Sequence, residues 1–307
     1  MRADLLHVVT AIANPLRWES RIRLYRDFER HLVESGVALT VVECAFGGRP
    51  FELAGNPLVQ HVGVRARTRV WTKENLINLG IARLPQDWKY VAWIDADIAF
   101  RRADWAGETV HALQLHDVVQ PWSDCYDLGP NGEHMQHHRA FCRCWQDGEA
   151  VGNGAGYAFA HPGYAWAATR QALEHLGGLI ETAALGAADH HMALALAGNV
   201  GASIPGAVTA GYRMPLLLWQ ERARRHIAGN IGCLRGTIEH HWHGPKARRR
   251  YVERWDILAQ HGFDPATDLK RNVWGVLELA GNKPALARAI DAYFRARNED
   301  SNAMEDA

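Results

Sequence analysis

The first half of the chain alternates solid apolar runs with longer stretches of helical spacing. "LLHVVTAIA", from Leu5, is apolar at almost every position, the pattern of a strand buried on both faces. "ESRIRLYRDFERHLVESG" puts Ile22, Tyr25, Phe28, Leu32 and Val33 on one helical face and stops at Gly36. "VALTVVECAF" predicts a second strand. "TKENLINLGIARLP" predicts a helix with Leu76, Ile77, Leu79 and Ile81 inward, ended ahead of Pro85. "WKYVAWIDADI" then predicts a central strand, "WAGETVHALQLH" a helix and "DVVQPW" another strand. This order predicts an α/β fold with a mostly parallel sheet flanked by helices. Ligands in such sheets sit at the carboxyl ends of the strands.

Residues 123 to about 156 break the alternation with a stretch rich in Gly, His and charge, read as an inserted loop. Beyond it, "GYAWAATRQALEHLGGL" reads as strand then helix, and "GAADHHMALALAG" as a helix with Asp189 at its start. "RMPLLLWQERARRHIAG" reads as helical. "NIGCLRGTIEHHWHG" looks like a β-hairpin turning near Arg235 and Gly236. "KARRRYVERWDILAQHG" reads as a basic amphipathic helix and "PALARAIDAYFRARNED" as the last one. With no repeat and no clear linker, the expectation is one domain over 1–298 and a polar tail over 299–307.

Composition changes this picture little. The 307 residues are 48% hydrophobic and 22% charged, with zero net charge and a pI near 7.3. No global field draws such a chain to nucleic acid or to a membrane surface. No apolar run reaches the length of a membrane span, and "MRADLLHVVTAIANP" does not read as a signal peptide. Cys44, Cys125, Cys142, Cys144 and Cys233 are odd in number and scattered, which fits a reduced, cytoplasmic protein.

The candidate chemistry begins at "VAWIDADIAF". An apolar strand runs into Asp95 and Asp97 with only Ala96 between them. A turn or helix cap is the plainer reading of such a triplet. Two carboxylates at a strand end can also face one divalent cation, and left unpaired in apolar surroundings they would be costly.

With the sheet placed, the order of motifs resembles the GT-A fold (Rossmann-like) glycosyltransferases of the nucleotide-diphospho-sugar transferase superfamily. The β-1,4-galactosyltransferase group and its bacterial and phage relatives are the nearest pattern, over roughly residues 5 to 270. In that resemblance "IANPLRW" is the turn at the nucleotide, with Asn14 and Arg17 as its polar residues. "VWTKENLINLG" places Trp71 by the base and Lys73 near base and phosphates, with Lys where the family carries Arg. Asp95 and Asp97 match the Asp-x-Asp motif, Asp97 on Mn²⁺ or Mg²⁺ and Asp95 supporting as ligand or ribose contact. In "HHWHGPK", His240 and His243 match the remaining metal ligands, with His241 as the alternative. Positions i and i+3 of a strand face opposite ways, so a turn or bulge is required there. Gly244 and Lys246 approximate a phosphate-side pattern whose spacing departs by one residue. Gly163 and Tyr164 match residues lining the donor sugar, and Trp166 is either a sugar platform or core.

Asp189 falls on the family's general base, which implies inversion at the anomeric carbon. A helix cap is its plainer reading. Ala188 and His190 stand where the family has acidic residues. The resemblance implies a C-terminal hairpin and helices, and transfer from a nucleotide-diphosphate sugar, a UDP-sugar by preference, to a hydroxyl. The acceptor would be a glycan or, as in phage relatives, a modified DNA base. Arg248, Arg249, Arg250 and Arg254 form either a solvated helix face or a receiver of anions. Two other classes remain: a sugar-nucleotidyltransferase, for which the Gly-rich basic loop after the first strand is missing, and a non-catalytic nucleotide-sugar or zinc-binding protein. Cys125, His134, His137, His138, Cys142 and Cys144 are zinc-type residues without a standard spacing. An acceptor-side lid is the preferred reading of their stretch.

Overall fold

The computed structural model describes residues 5–151 and 160–302. The chain runs β1 (Leu6–Ala13), α1 (Glu19–Glu34), β2 (Ala38–Phe46), β3 (Gln60–Ala66), α2 (Lys73–Ile81), β4 (Tyr90–Ile94), β5 (Ile98–Phe100), α3 (Trp105–Ala112) and β6 (Val118–Gln120). Then come β7 (Asp124–Leu128), β8 (His134–Arg139), α4 (Phe141–Gln146), β9 (Ala165–Thr169), α5 (Arg170–Leu176), α6 (Ala188–Leu196) and α7 (Ala210–His226). The last elements are β10 (Ile231–Cys233), β11 (Thr237–His240), α8 (Arg254–Gln260), α9 (Pro265–Asp268), β12 (Leu269–Arg271), β13 (Leu277–Leu279) and α10 (Pro284–Arg297).

The main sheet has the order β10-β6-β9-β4-β1-β2-β3. It is mostly parallel, as expected, with β9 antiparallel between β4 and β6. Two apolar clusters cover it, one containing Val9, Val42 and Leu76 and the other Val8, Val41 and Phe28. Because alternate strand residues point to opposite faces, Val8 and Val9 fall in different clusters. The solid apolar runs are therefore buried from both sides.

A second sheet of order β5-β11-β7-β8 abuts the first. Three strands of the large sheet continue into it after a short step: β4 into β5, β6 into β7, and β10 into β11. Because β5 runs antiparallel to β11 while β7 runs parallel to it, the β6–β7 and β10–β11 steps lie at the Thr237 end of β11 and the Asp95–Ala96–Asp97 step at its His240 end. This corrects two expectations. The central strand ends at Ile94 instead of running through the aspartates. The stretch around Arg235 and Gly236 is no hairpin turn, because β10 pairs with β6 and β11 with β5 and β7. The C-terminal hairpin is formed by β12 and β13.

Residues 123–151 hold a hairpin, β7 with β8, followed by α4, where a loop was expected; residues 152–156 of that stretch lie outside the described residues. The basic helix is also interrupted. A 3₁₀ turn over Lys246–Arg249 leads to Arg250 at φ 47°, and α8 begins only at Arg254. The break turns Arg249 and Arg254 inward, 7% and 6% exposed. Part of the polar stretch from 299 is built into the fold. Asp300 accepts the backbone N–H groups of Glu19 and Ser20 and so caps α1. Glu299 is buried between Arg21 and Arg297. Residues 303–307 lie outside the described residues. No described helix is long and apolar enough to cross a membrane.

Candidate functional site

A cleft of about 320 Å³ opens at the His240 end of β11, beside the step from β4 to β5. Its floor is set by register. His240, the last residue of β11, is paired with Ile98 on one side and Asp127 on the other. Asp97 immediately precedes Ile98, and its carbonyl accepts the backbone N–H of His241 at 2.8 Å. The chain then leaves the strand, which lets His243 come round to the face that His240 occupies. The expected departure from strand geometry is thus the end of β11 itself.

Asp97, His240 and His243 converge. His243 Nε2 lies 3.0 Å and His240 Nε2 3.7 Å from Asp97 Oδ2, and the two imidazole nitrogens are 3.2 Å apart. Ligand atoms of the three fall within 4.8 Å of one another, and no other such group occurs among the described residues. Asp97 Oδ1 is buried without a hydrogen-bond partner. An orphaned carboxylate oxygen beside two facing imidazole nitrogens fits a divalent cation. One oxygen and two nitrogen donors suit a transition metal such as Mn²⁺ better than Mg²⁺, which favours all-oxygen surroundings.

The two aspartates differ in environment. Burial works to raise both carboxyl pKa values. At Asp97 the charges and hydrogen bonds of His240 and His243 overcome it and hold the group well below its usual range. Asp95 instead accepts from Lys73 Nζ at 2.9 Å, and burial with the neighbouring Asp97 charge leaves it raised. Asp95 therefore faces Lys73 and stands outside the converging group. His241, the alternative ligand, also lies outside it.

The other expected residues divide. Trp71, Lys73, Gly163, Tyr164, Asp189 and Lys246 all line the cleft. Asp189 lies in the first turn of α6, where its Oδ1 accepts the His190 N–H at 2.8 Å; it does not cap the helix, since Ala187 occupies that position. Burial would raise its pKa, but Lys73, the His190 N–H, His161 and Arg254 lower it. A side chain at Gly163 would meet Asp189 Oδ2 and His161 at 3.0 Å, so this glycine is what lets the two sit face to face. Trp71 is stacked near-parallel to Phe294, with the Arg21 and Arg297 guanidinium carbons 5.3 and 4.8 Å from its centroid. Trp166 is buried core.

Asn14, Arg17 and Gly244 lie off the cleft lining. Asn14 closes its own turn through two 2.9 Å bonds with the Trp18 backbone. Arg17 is exposed at φ 63°. Gly244, at φ 87°, gives room to the backbone of Asn298 and Glu299, which a side chain would meet at 2.9–3.0 Å. The zinc-type residues do not gather among the described residues: Cys125, Cys142 and Cys144 are buried and in no disulfide, while His138 turns into the cleft.

Several cleft residues went unread in the sequence. Arg21 and Arg297 arrive from opposite ends of the chain and join Arg249 and Arg254, which the sequence offered as either a solvated face or a receiver of anions, and Lys73 and Lys246 in a cationic lining. Asp127, in the stretch read as a loop, is 3% exposed and faces His240. Glu74 is 3% exposed beside Lys73. Burial pushes its carboxyl from 4.5 up to about 7, against the pull of Lys73.

That shift has a measurable sign. The unfolded chain releases this proton near 4.5, whereas the folded chain keeps it to about 7. Between those values the folded state binds more protons, so stability falls as pH rises through the window and stays lower above it. Glu74→Gln should therefore melt above the parent at about pH 8, by on the order of 3 kcal/mol at most, and with it at about pH 4. Denaturant unfolding at the two pH values reads this; equal stabilities at the higher pH would mean the ionised carboxylate costs nothing.

No family model matches the chain, and no curated protein sequence does. Among solved structures, a Drosophila β-1,4-galactosyltransferase 7 variant in complex with manganese, UDP-Gal and xylobiose is similar at 11% identity. The match covers 92% of this chain and 97% of that one, with a TM-score of 0.45. S. aureus TarS in complex with UDP-GlcNAc is similar at 9% identity over 77% of this chain and 58% of that one, TM-score 0.42. A 4-diphosphocytidyl-2C-methyl-D-erythritol synthase from Anaerococcus prevotii is also similar, at 9% identity over 76% and 88%, TM-score 0.34. Likenesses this slight say nothing of any residue's role.

Proposed function

We propose that the chain is a metal-dependent glycosyltransferase of the GT-A kind, moving a sugar from a nucleotide diphosphate to a hydroxyl. The observation that carries this is the convergence of Asp97, His240 and His243 beside the β4–β5 step, inside a cleft lined by buried arginines. The same donor set can hold iron in oxygenases. A lining of Arg21, Lys73, Arg249, Arg254 and Arg297 suits instead a polyanion bound beside the cation. A bound cation would supply charge neutralisation to a departing diphosphate. Arg249 and Arg254, held inward by the break before α8, would take its oxygens. Asp95 would orient Lys73 toward the donor, and Asp189 would accept the proton of the attacking hydroxyl. Its place across Gly163 from His161 supports that role.

The test is thermal stabilisation by UDP, GDP, CDP and ADP, each with and without Mn²⁺. A ligand that binds only the folded state raises the melting temperature by mass action, by about 2.7 kcal/mol of stability at 100 times Kd. The expected result is a shift that requires both one nucleotide and the metal, UDP being the first choice. No shift with any pair would remove the donor site from this cleft.

A further inference from the structure

We infer that Asp127 is the positioning carboxylate of the cation site, and that Lys246 serves to neutralise it instead of reaching the donor. This rests on the cation-site reading of Asp97, His240 and His243. Asp127 Oδ1 faces His240 Nδ1 at 2.7 Å and the Tyr164 hydroxyl at 2.8 Å. Its Oδ2 faces His138 Nε2 at 2.6 Å and also pairs with Lys246 Nζ. Both oxygens are thus doubly occupied, inside a residue that is 3% exposed.

An ionised carboxylate only accepts, so all four partners must donate to it. His240 then carries a proton on Nδ1, and with a cation bound the ring would be neutral and offer its Nε2 lone pair as the ligand. His138 likewise donates from Nε2. Its buried Nδ1, which has no partner, is then a bare acceptor and not a stranded donor. A carboxylate behind a ligating imidazole fixes the tautomer and ring orientation and raises ligand basicity. Lys246 Nζ also lies 2.9 Å from Gln136 Oε1 and 3.3 Å from His138 Nε2, within the same cluster. A lysine so engaged compensates the buried charge of Asp127. The β7–β8 hairpin is accordingly the outer wall of the cation site, through one residue.

The experiment titrates Mn²⁺ by electron paramagnetic resonance of the free ion. It compares the parent, Asp97→Ala, Asp127→Asn and the charge-balanced pair Asp127→Asn with Lys246→Met. Melting without metal reports the fold of each. The expected result is loss of binding in Asp97→Ala and about a 10–100-fold weaker Mn²⁺ affinity in both Asp127 variants, with metal-free melting kept in at least the balanced pair. Parent-like affinity in a folded Asp127 variant, with Asp97→Ala inactive in binding, overturns the inference and leaves the cation site standing. Collapse of both Asp127 variants would assign the residue to the fold and overturn it as well. A parent that binds no Mn²⁺ sinks the cation site itself.

Discussion

Asp97→Ala is expected to abolish the nucleotide's metal-dependent stabilisation and to lower sugar transfer by at least about 100-fold. The estimate follows from what Asp97 does alone. It is the only carboxylate in the converging group, and its Oδ2 is the atom both imidazoles approach. Losing a residue that merely orients a ligand costs about 10–100-fold in metal affinity, so losing a ligand costs more. The variant also separates the cation from the arginines. If diphosphate binding were carried by Arg249, Arg254 and Lys73 alone, the nucleotide would still stabilise Asp97→Ala, now without a metal requirement. If it depends on the cation, both effects vanish together. Melting of the metal-free variant keeps the comparison sound. Unchanged transfer in a folded Asp97→Ala would remove the cation from the reaction.

The parts of this site that were legible in the sequence are those fixed by local chain geometry. The apolar runs of β1, β2 and β4 carry few polar positions to confuse their reading, because both faces of the sheet are covered. Asp95 and Asp97 stood out because they interrupt such a run. His240 and His243 stood out through their spacing. Asp127 could not stand out. Its stretch alternates poorly, since Asp124, Tyr126 and the exposed His134 and His137 face one side while the buried Cys125, Asp127 and His138 face the other. A strand whose inward positions include Asp and His reads as a loop until the partners that satisfy them are known. The second sheet was illegible for a related reason. Three strands that change sheet look, one at a time, like a turn, a strand end and a hairpin. Only the antiparallel pairing of β5 with β11 brings Asp97 to His240.

The cationic lining shows the same limit in another form. Arg249 and Arg254 lie five residues apart in a run read as one helix face, either solvated or a receiver of anions. On an uninterrupted helix they would be about 140° apart. Arg250, in the left-handed region at φ 47°, breaks the helix and lets both turn inward. Arg21 and Arg297 reach the same place from opposite ends of the chain and meet at Glu299. Such a cluster has no signature in local spacing. It is a product of how α1, α10 and the segment after β11 pack together.

Asp189→Asn should keep donor binding and lose transfer by about 10²–10⁴-fold, the range a general base contributes. Asparagine preserves the shape beside Gly163 and can still accept the His190 N–H, so the first turn of α6 is undisturbed. What it removes is the negative charge that Lys73 and Arg254 hold in place. The sign of the pH dependence follows. Those neighbours keep the folded-state pKa below the usual carboxylate value, so the base is ionised throughout the neutral range and is lost only as pH falls through that depressed value. Transfer limited by Asp189 alone would therefore show no acid limb between about pH 6 and pH 8 in saturating metal and donor. Burial holds His161, across Gly163, well below the ordinary imidazole range, neutral and able to accept a proton at the same pH. It is the natural rival. Transfer that survives in Asp189→Asn and falls in His161→Gln, with nucleotide stabilisation unchanged in both, would move the base from the carboxylate to the imidazole. Transfer that falls only in Asp189→Asn would leave Asp189 as the proton acceptor, with inversion at the anomeric carbon as the stereochemical outcome to check on the product.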